Sequence, residues 1–327
     1  MDWKNKRVLV TGAGGFIGSH LSERLVQLGA ETRALVQYNS TGAWGWLDQS
    51  PLKDKIEVVL GDIRDQDSAF RVMEGIDIVF HLAALIAIPY SYYASLSYVR
   101  TNVEGTLNVL QSALRNGSSL VVHTSTSEVY GTARSIPISE DHPLQGQSPY
   151  SASKIGADKI AESFYLSFGL PIVTIRPFNT FGPRQSARAV IPTIVTQALK
   201  ESAIHLGNLE PTRDLNYVAD TVEGFIKAAE SNAAVGEVIN LGTGKEISIG
   251  KLAETILAMM GKDLPIVSEG QRTRPKNSEV ERLCADNRKA KMILGWEPTH
   301  TLEEGLVQTI EWLSENDEQY RSNVYVI

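Results

Sequence analysis

In Tyr150-Ser151-Ala152-Ser153-Lys154 a phenol and an ammonium stand four residues apart inside a helical pattern, a spacing that puts both on one helix face. An ammonium beside a phenol favours the phenolate. It lowers a pKa of about 10 in the free side chain and makes tyrosine a usable base near neutral pH. Without other context the pair would read as an ordinary surface couple on an amphipathic helix. A second group precedes it, Ser125-Thr126-Ser127-Glu128-Val129-Tyr130-Gly131, whose hydroxyls and carboxylate supply hydrogen bonds to a sugar and a general base. Ser125 reads equally well as a turn cap. The third group opens the chain. Val8-Leu9-Val10 leads into Thr11-Gly12-Ala13-Gly14-Gly15-Phe16-Ile17-Gly18, a strand, a glycine turn and a helix. In such an opening Gly12 permits the sharp turn, Gly15 lets backbone approach a pyrophosphate, and Gly18 lets the helix pack close, leaving its first N–H groups to hold phosphates.

These groups need a scaffold that brings them together. Short apolar runs at Arg7–Thr11, Thr32–Gln37, Ile56–Leu60, Ile78–Leu82, Ser119–Thr124 and Pro171–Arg176 alternate with helical patterns at Phe16–Leu28, about Asp67–Met73, Tyr98–Arg115 and Tyr150–Phe168. That alternation predicts an α/β fold with a Rossmann-type doubly wound parallel sheet. Ligands of such sheets bind beyond the carboxyl ends of the strands, which turns Ser125 to Glu128 toward the cleft. After Arg176-Pro177 the texture becomes rich in Gly, Pro and Asn, and a helix at Asp220–Glu230 and a strand at Glu237–Leu241 return to the first sheet. The expected division is a dinucleotide-binding domain of residues 1–177 plus about 214–242, and a smaller α/β substrate-binding domain of residues 178–213 and 243–327. The tail after Glu315 is polar and is expected to be mobile.

The 327 residues carry 31 Lys and Arg against 38 Asp and Glu, a formal charge of −7, with no basic run to suit a nucleic acid or an anionic membrane. The single cysteine, Cys284, excludes an intrachain disulfide and a cysteine metal cluster, and suits a reducing compartment. The six histidines show no ligand spacing; His81 and His123 read as core residues, and no metal is expected. No apolar run reaches the ~18 residues of a membrane span, and Met1-Asp2-Trp3-Lys4 runs straight into the first strand without a signal region. The chain is therefore expected to be a soluble, cytoplasmic protein.

With Gly61-Asp62-Ile63-Arg64-Asp65, His81-Leu82-Ala83-Ala84, Thr101-Asn102-Val103-Glu104-Gly105-Thr106, Arg176-Pro177-Phe178-Asn179-Thr180-Phe181-Gly182-Pro183-Arg184, Arg213-Asp214 and Leu294-Gly295-Trp296-Glu297-Pro298, the chain resembles the extended short-chain dehydrogenase/reductases. Within them it is similar to the nucleotide-sugar epimerases and dehydratases, nearly end to end. The resemblance implies NAD as cofactor, with Gly12, Gly15, Phe16, Ile17 and Gly18 at its phosphates. Asp62 and Ile63 would flank the adenine, and Leu82, Ala83, Ala84, Asn102, Ser125 and Pro177 would line the remainder. It implies Tyr150 and Lys154 as the catalytic pair, Thr126 as its hydroxyl partner, and Ser127 and Glu128 beside them. Asn179, Arg188, Pro192, Arg213 and Arg274 would hold the nucleotide sugar, arginine suiting a diphosphate through its planar fork of donors. It also implies a homodimer paired through the helices near Tyr98–Arg115 and Tyr150–Phe168.

Thr126-Ser127-Glu128 resembles the 4,6-dehydratases more than the simple 4-epimerases. Tyr38 to Asp48 and Pro143 to Tyr150 resemble the bacterial enzymes of nonulosonic (legionaminic and pseudaminic) acid pathways. The expected activity is 4,6-dehydration of a UDP-linked, GlcNAc-like sugar: oxidation at C4, removal of the C5 proton, loss of water and hydride return to C6. Ser127 departs from the dehydratases that place Asp before Glu. Either Glu128 serves as base and then acid, or the substrate is a 5,6-unsaturated nucleotide sugar, oxidised at C4, reduced at C6 and inverted at C5. A non-catalytic dinucleotide-sensing module is the reading from another class. Gln37-Tyr38-Asn39-Ser40 lacks both an acid for a ribose 2′-hydroxyl and an arginine for a 2′-phosphate, and Arg33 lies four residues too early. NAD is expected over NADP on the missing positive charge, because an unpaired phosphate is costly to desolvate.

Overall fold

The computed structural model describes residues 1–272 and 274–320; the end of the polar tail, residues 321–327, lies outside them. In chain order the strands are β1 (Arg7–Thr11), β2 (Glu31–Gln37), β3 (Ile56–Gly61), β4 (Ile78–His81), β5 (Leu120–Thr124), β6 (Ile172–Pro177), β7 (Asn179–Phe181), β8 (Ile204–Leu206), β9 (Thr212–Arg213), β10 (Leu215–Tyr217), β11 (Val238–Leu241), β12 (Ile247–Ser248), β13 (Ile266–Ser268) and β14 (Arg282–Leu283). The helices are α1 (Phe16–Leu28), α2 (Gln66–Val72), α3 (Ile88–Tyr93), α4 (Ser95–Tyr98), α5 (Gly105–Asn116), α6 (Pro149–Phe168), α7 (Val190–Lys200), α8 (Val218–Glu230), α9 (Ile249–Met259), α10 (Arg288–Leu294) and α11 (Leu302–Glu315).

Seven strands form one sheet in the order β11-β6-β5-β4-β1-β2-β3, and every neighbouring pair is parallel. This is the expected doubly wound α/β sheet, and its strand order reverses between β1 and β4. Alternate residues of each strand feed opposite faces. Val8, Val10, Ala34, Val36, Ile78, Phe80, Leu120 and Val122 pack with α1 and α8 on one side. Leu9, Leu35, Val79, Val121 and Ile172 pack with α2, α5 and α6 on the other. Each Val, Leu, Ile or Phe among them contributes about 1.5–3 kcal/mol on burial, so the sheet is the stable platform on which the loops at its carboxyl edge are carried.

The helix expected over Tyr98–Arg115 is not continuous. A π-helical stretch, Val99–Glu104, separates α4 from α5. Its extra residue per turn brings Asn102 inward, where Nδ2 donates to the Leu85 carbonyl and the Ser153 hydroxyl (both 2.9 Å) and Oδ1 accepts from Leu85 N (2.8 Å).

Beyond β6 the chain leaves the sheet and returns. β7 and β10 pair in parallel, β9 lies between β12 and β14, and β8 pairs with β13. Asp214, fully buried between β9 and β10, ties these passages together. Its carboxylate accepts from Thr243 N (2.8 Å), Thr243 Oγ1 (2.7 Å), Gly244 N (2.9 Å) and Ala285 N (3.0 Å). Burial still pushes its pKa above the ordinary carboxylate value.

Candidate active site

A cleft of about 1290 Å³ runs along the carboxyl edge of the sheet. It exceeds the ~300–1,000 Å³ typical of a single small-molecule pocket. One end is built by the turn after β1. Gly12 adopts φ +71°, and a Cβ there would stand 2.8 Å from Ala83 N; a Cβ on Gly18 would stand 2.3 Å from the Gly12 carbonyl oxygen. Only glycine lets β1, the turn and α1 approach this closely. Gly15 caps α1 without a side-chain hydrogen bond, which leaves the N-terminal amides of the helix pointing into the cleft, the arrangement that receives phosphates. Thr11 Oγ1 accepts from Leu82 N and Ala83 N (3.1 Å each) and fixes the loop after β4 beside that turn. The donor set therefore fits a dinucleotide. Gly12, Gly15, Phe16, Ile17, Gly18, Asp62, Ile63, Leu82, Ala83, Ala84, Ser125 and Pro177 all line the cleft. The Asn102 amide bonds Leu85, which lines the cleft, and Ser153 on α6, so it holds the loop after β4 at the cleft edge.

The second wall joins the end of β5 to the start of α6. Ser148 and Ser151 close a capping box around the first turn of α6, which presents Tyr150 at the cleft. Thr126 caps the short turn Ser127–Tyr130, its hydroxyl accepting from Glu128 N at 3.2 Å. The Thr126 hydroxyl lies beside the Tyr150 phenol and favours its ionisation. Lys154 Nζ donates to the Thr124 carbonyl at 2.6 Å. The expected lowering of the Tyr150 pKa is overturned: burial raises it, with the Glu128 charge adding to the rise and the Thr126 hydroxyl opposing it. Burial also lowers Lys154, to about 8, against the pull of Asp158. Spacing along a helix reports that two groups share a face, whereas acidity depends on how much water the fold removes.

Opposite stand the arginines. Arg213, buried, donates to the Thr212 carbonyl (2.9 Å) and pairs with Glu279 (3.4 Å). Arg274 Nη1 lies 3.6 Å from Glu279 and 3.8 Å from Glu128 Oε1. The buried Asn179 Oδ1 and Arg274 Nη1 make no hydrogen bond, unmet capacity at the wall of a cleft that suits a polar ligand. Arg188 lines the cleft as well, whereas Pro192 packs in the interior on α7 and is not part of the wall.

Glu279 and Arg64 join the site without a signal in the sequence, and the loop after β2, read there for its lack of an acid or an arginine, supplies more of the wall than Tyr38 and Asn39. Glu279 bridges both arginines, yet in sequence it is one acid among many. The loop after β2 brings Tyr38, Asn39, Ala43 and Gly45 to the cleft and is fastened to the glycine turn by Trp46 N donating to Gly14 O at 3.0 Å. Arg64 lines the same end and is held by Asp62 at 2.5 Å. Arg33 points away, bound to Glu57 (2.9 Å) and to the Val72 carbonyl (2.9 Å). Among the described residues no group of three or more His, Cys, Asp or Glu side chains could hold a metal ion.

The sequence profile of GDP-mannose 4,6-dehydratase matches residues 9–309. Over 312 residues the chain is 34% identical to a UDP-glucose 4-epimerase from Mycolicibacterium smegmatis, a match covering 94% of this chain and 98% of the relative. It is 33% identical to UDP-glucuronic acid decarboxylase 1 of Xenopus tropicalis, covering 98% of this chain and 75% of that one. A dTDP-glucose 4,6-dehydratase double mutant from Streptomyces venezuelae, solved with NAD bound, superposes with a TM-score of 0.87 at 30% identity, covering 96% of this chain and 98% of that one.

Proposed function

The chain belongs to the GDP-mannose 4,6-dehydratase family of nucleotide-sugar enzymes, and from that premise we propose that it is an NAD-dependent nucleotide-sugar 4,6-dehydratase acting on a UDP-linked, GlcNAc-like hexose. The observation that carries the reading is the presence of a carboxylate, Glu128, on the same wall as Tyr150 and Thr126. An epimerase that only oxidises and reduces C4 leaves the C5 proton in place; a dehydratase needs a base there.

Tyr150 acts as the phenolate, the form that the Lys154 ammonium stabilises against the effect of burial, and in taking the proton of the sugar 4-hydroxyl it becomes the phenol. NAD, which Gly12, Gly15, Gly18, Asp62 and Ile63 would hold, would supply hydride exchange between C4 and C6, so that redox balance closes within one turnover. Once C4 is a ketone the C5 proton is acidic. Glu128 removes it and, with Ser127 in place of a second acid, returns it to the departing C6 hydroxyl, which leaves as water; C5 regains a proton as C6 accepts hydride, balanced by release of the proton held on Tyr150. Arg213, Arg274 and Asn179 hold the diphosphate on the far wall. The absence of an acid at Ser127, whose side chain is buried beside Glu128, also supports the second reading, a 5,6-unsaturated substrate that needs no water loss. A product assay separates the two: consumption of saturated UDP-GlcNAc with release of a 4-keto-6-deoxy sugar supports the dehydratase, and consumption of the 5,6-ene alone supports the second reading.

Pairing of two copies through α4–α5 and α6, where Leu96, Val99, Leu166 and Phe168 are exposed, belongs to the same proposal and is read by light scattering. No described helix is long and apolar enough to cross a membrane.

A further inference from the structure

Asp158 stands four residues beyond Lys154 on α6 and is 5% exposed. Its Oδ1 accepts from His123 Nε2 (3.1 Å) on β5. Its Oδ2 accepts from the Ser125 hydroxyl (2.8 Å) and from Arg176 Nη2 (3.0 Å) and Nε (3.3 Å) on β6. Arg176 continues through Nη1 to the Tyr130 phenol at 3.0 Å, and that phenol donates to Asn240 Oδ1 at 2.7 Å. Lys154 Nζ meanwhile grips the carbonyl of Thr124. Consecutive residues at the end of β5, Thr124 and Ser125, are thus held by side chains one turn apart on α6. The segment they begin carries Thr126 and Glu128, and the helix that grips them carries Tyr150.

We propose that Asp158 is a positioning residue of this site: its carboxylate registers the Ser125–Glu128 segment against the helix bearing Tyr150 and stands one helical turn from the buried Lys154 ammonium that grips Thr124. The proposal rests on the reading of Tyr150 and Lys154 as the acting pair. The titratable groups whose charges act on Lys154 are His81 on β4, His123 on β5 and Asp158 on its own helix; Arg176 on β6 is held against Asp158, and Tyr150 lies one turn earlier on α6. Burial lowers both histidines, which are neutral at pH 7. Asp158 is the neighbour that opposes the cost of burying the ammonium, and it is itself held ionised, the His123 hydrogen bond and the Arg176 and Lys154 charges outweighing its own burial.

The sign follows directly. The ammonium exists below its titration midpoint and is lost as pH rises through it. Removing Asp158 leaves burial unopposed and moves that midpoint to lower pH by about one unit or more, the size of an opposite charge one helical turn away. The test is an NMR titration of the full chain labelled with 15N at lysine Nζ, the Lys154 signal being identified by its loss in Lys154→Met. The expected result is a midpoint lowered in Asp158→Asn and in Asp158→Asn/Arg176→Met, the double variant serving where the single one leaves Arg176 buried without a counter-charge and does not fold. Arg176→Met breaks the same pair but keeps the Asp158 charge, so its midpoint stays at the parent value or rises. A midpoint unmoved in the folded Asp158 variants, or lowered equally in Arg176→Met, overturns the proposal. If the midpoint moves as stated while no nucleotide sugar reduces bound cofactor at any pH, the role of Asp158 stands and the proposed reaction falls.

Discussion

Replacing Glu128 by Gln separates the two halves of the proposed reaction. The glutamine keeps the shape of the side chain and the backbone hydrogen bond to Thr126 Oγ1 (3.2 Å), so the turn Ser127–Tyr130 survives. The ion pair that is lost is weak: Arg274 Nη1 lies 3.8 Å from Glu128 and has Glu279 at 3.6 Å as a competing partner. Such a partly exposed contact contributes about 0–1 kcal/mol, less than tenfold in binding. Loss of the base for C5 costs about 10²–10⁴ in rate, or ~3–5 kcal/mol of barrier, and dominates. The neighbouring Tyr150 phenol is raised by burial first and by the Glu128 charge as well, so neutral Gln eases rather than hinders the oxidation at C4. Adding substrate should therefore produce the absorbance of reduced nicotinamide, which persists, with no deuterium entering C5 from heavy water. Tyr150→Phe should show neither signal, because it fails before oxidation. Turnover of Glu128→Gln at the parent rate, or continued exchange at C5, would refute the assignment of Glu128 as base.

Arg213→Ala and Arg274→Ala should each weaken UDP binding by roughly ten- to a hundredfold, the value of one charge-assisted hydrogen bond of ~1.5–3 kcal/mol, while the bound dinucleotide content stays unchanged; calorimetry showing parent affinity in both would displace the diphosphate from this wall. Nucleotide extracted from the purified chain should be NAD, since Arg33 is engaged by Glu57 and Arg64 by Asp62; recovery of mainly NADP would contradict this. Gly18→Ala should lower Tm and strip the cofactor, because its Cβ would meet the Gly12 carbonyl at 2.3 Å and overpacking of this kind costs about 1–3 kcal/mol; an unchanged Tm with full cofactor content would show that the turn has slack.

What the sequence revealed was local. Gly12 announced its own turn, Gly29, Gly117 and Gly169 ended their helices in the left-handed conformation they adopt, and the alternation of apolar runs implied the parallel sheet. The π-helical stretch was hidden because one added residue hardly disturbs an apolar repeat read over twelve or more. The network around Asp158 was hidden for another reason: His123, Asp158 and Arg176 sit on three elements and meet only when the sheet and α6 are assembled. The basicity of Tyr150 was misjudged because the Lys154 spacing was visible while the burial that opposes it was not. Asn102 carries a strong local pattern, but the sequence does not show that its amide bonds Leu85 and Ser153.

Asp214 bears on how such a scaffold can be rebuilt. Its carboxylate is satisfied at once by Thr243, Gly244 and Ala285, so three separated stretches of chain converge on one side chain. A graft that imports another substrate specificity as a single contiguous block would replace part of this junction and would have to return three backbone N–H groups to the same buried carboxylate. Exchange has to be made in at least two blocks with splice points on either side of Asp214 and of Thr243, and the acceptor must keep both. The modularity of the scaffold is then that of an interlocked pair, in which new chemistry can be introduced by changing loops but not by swapping one half for another.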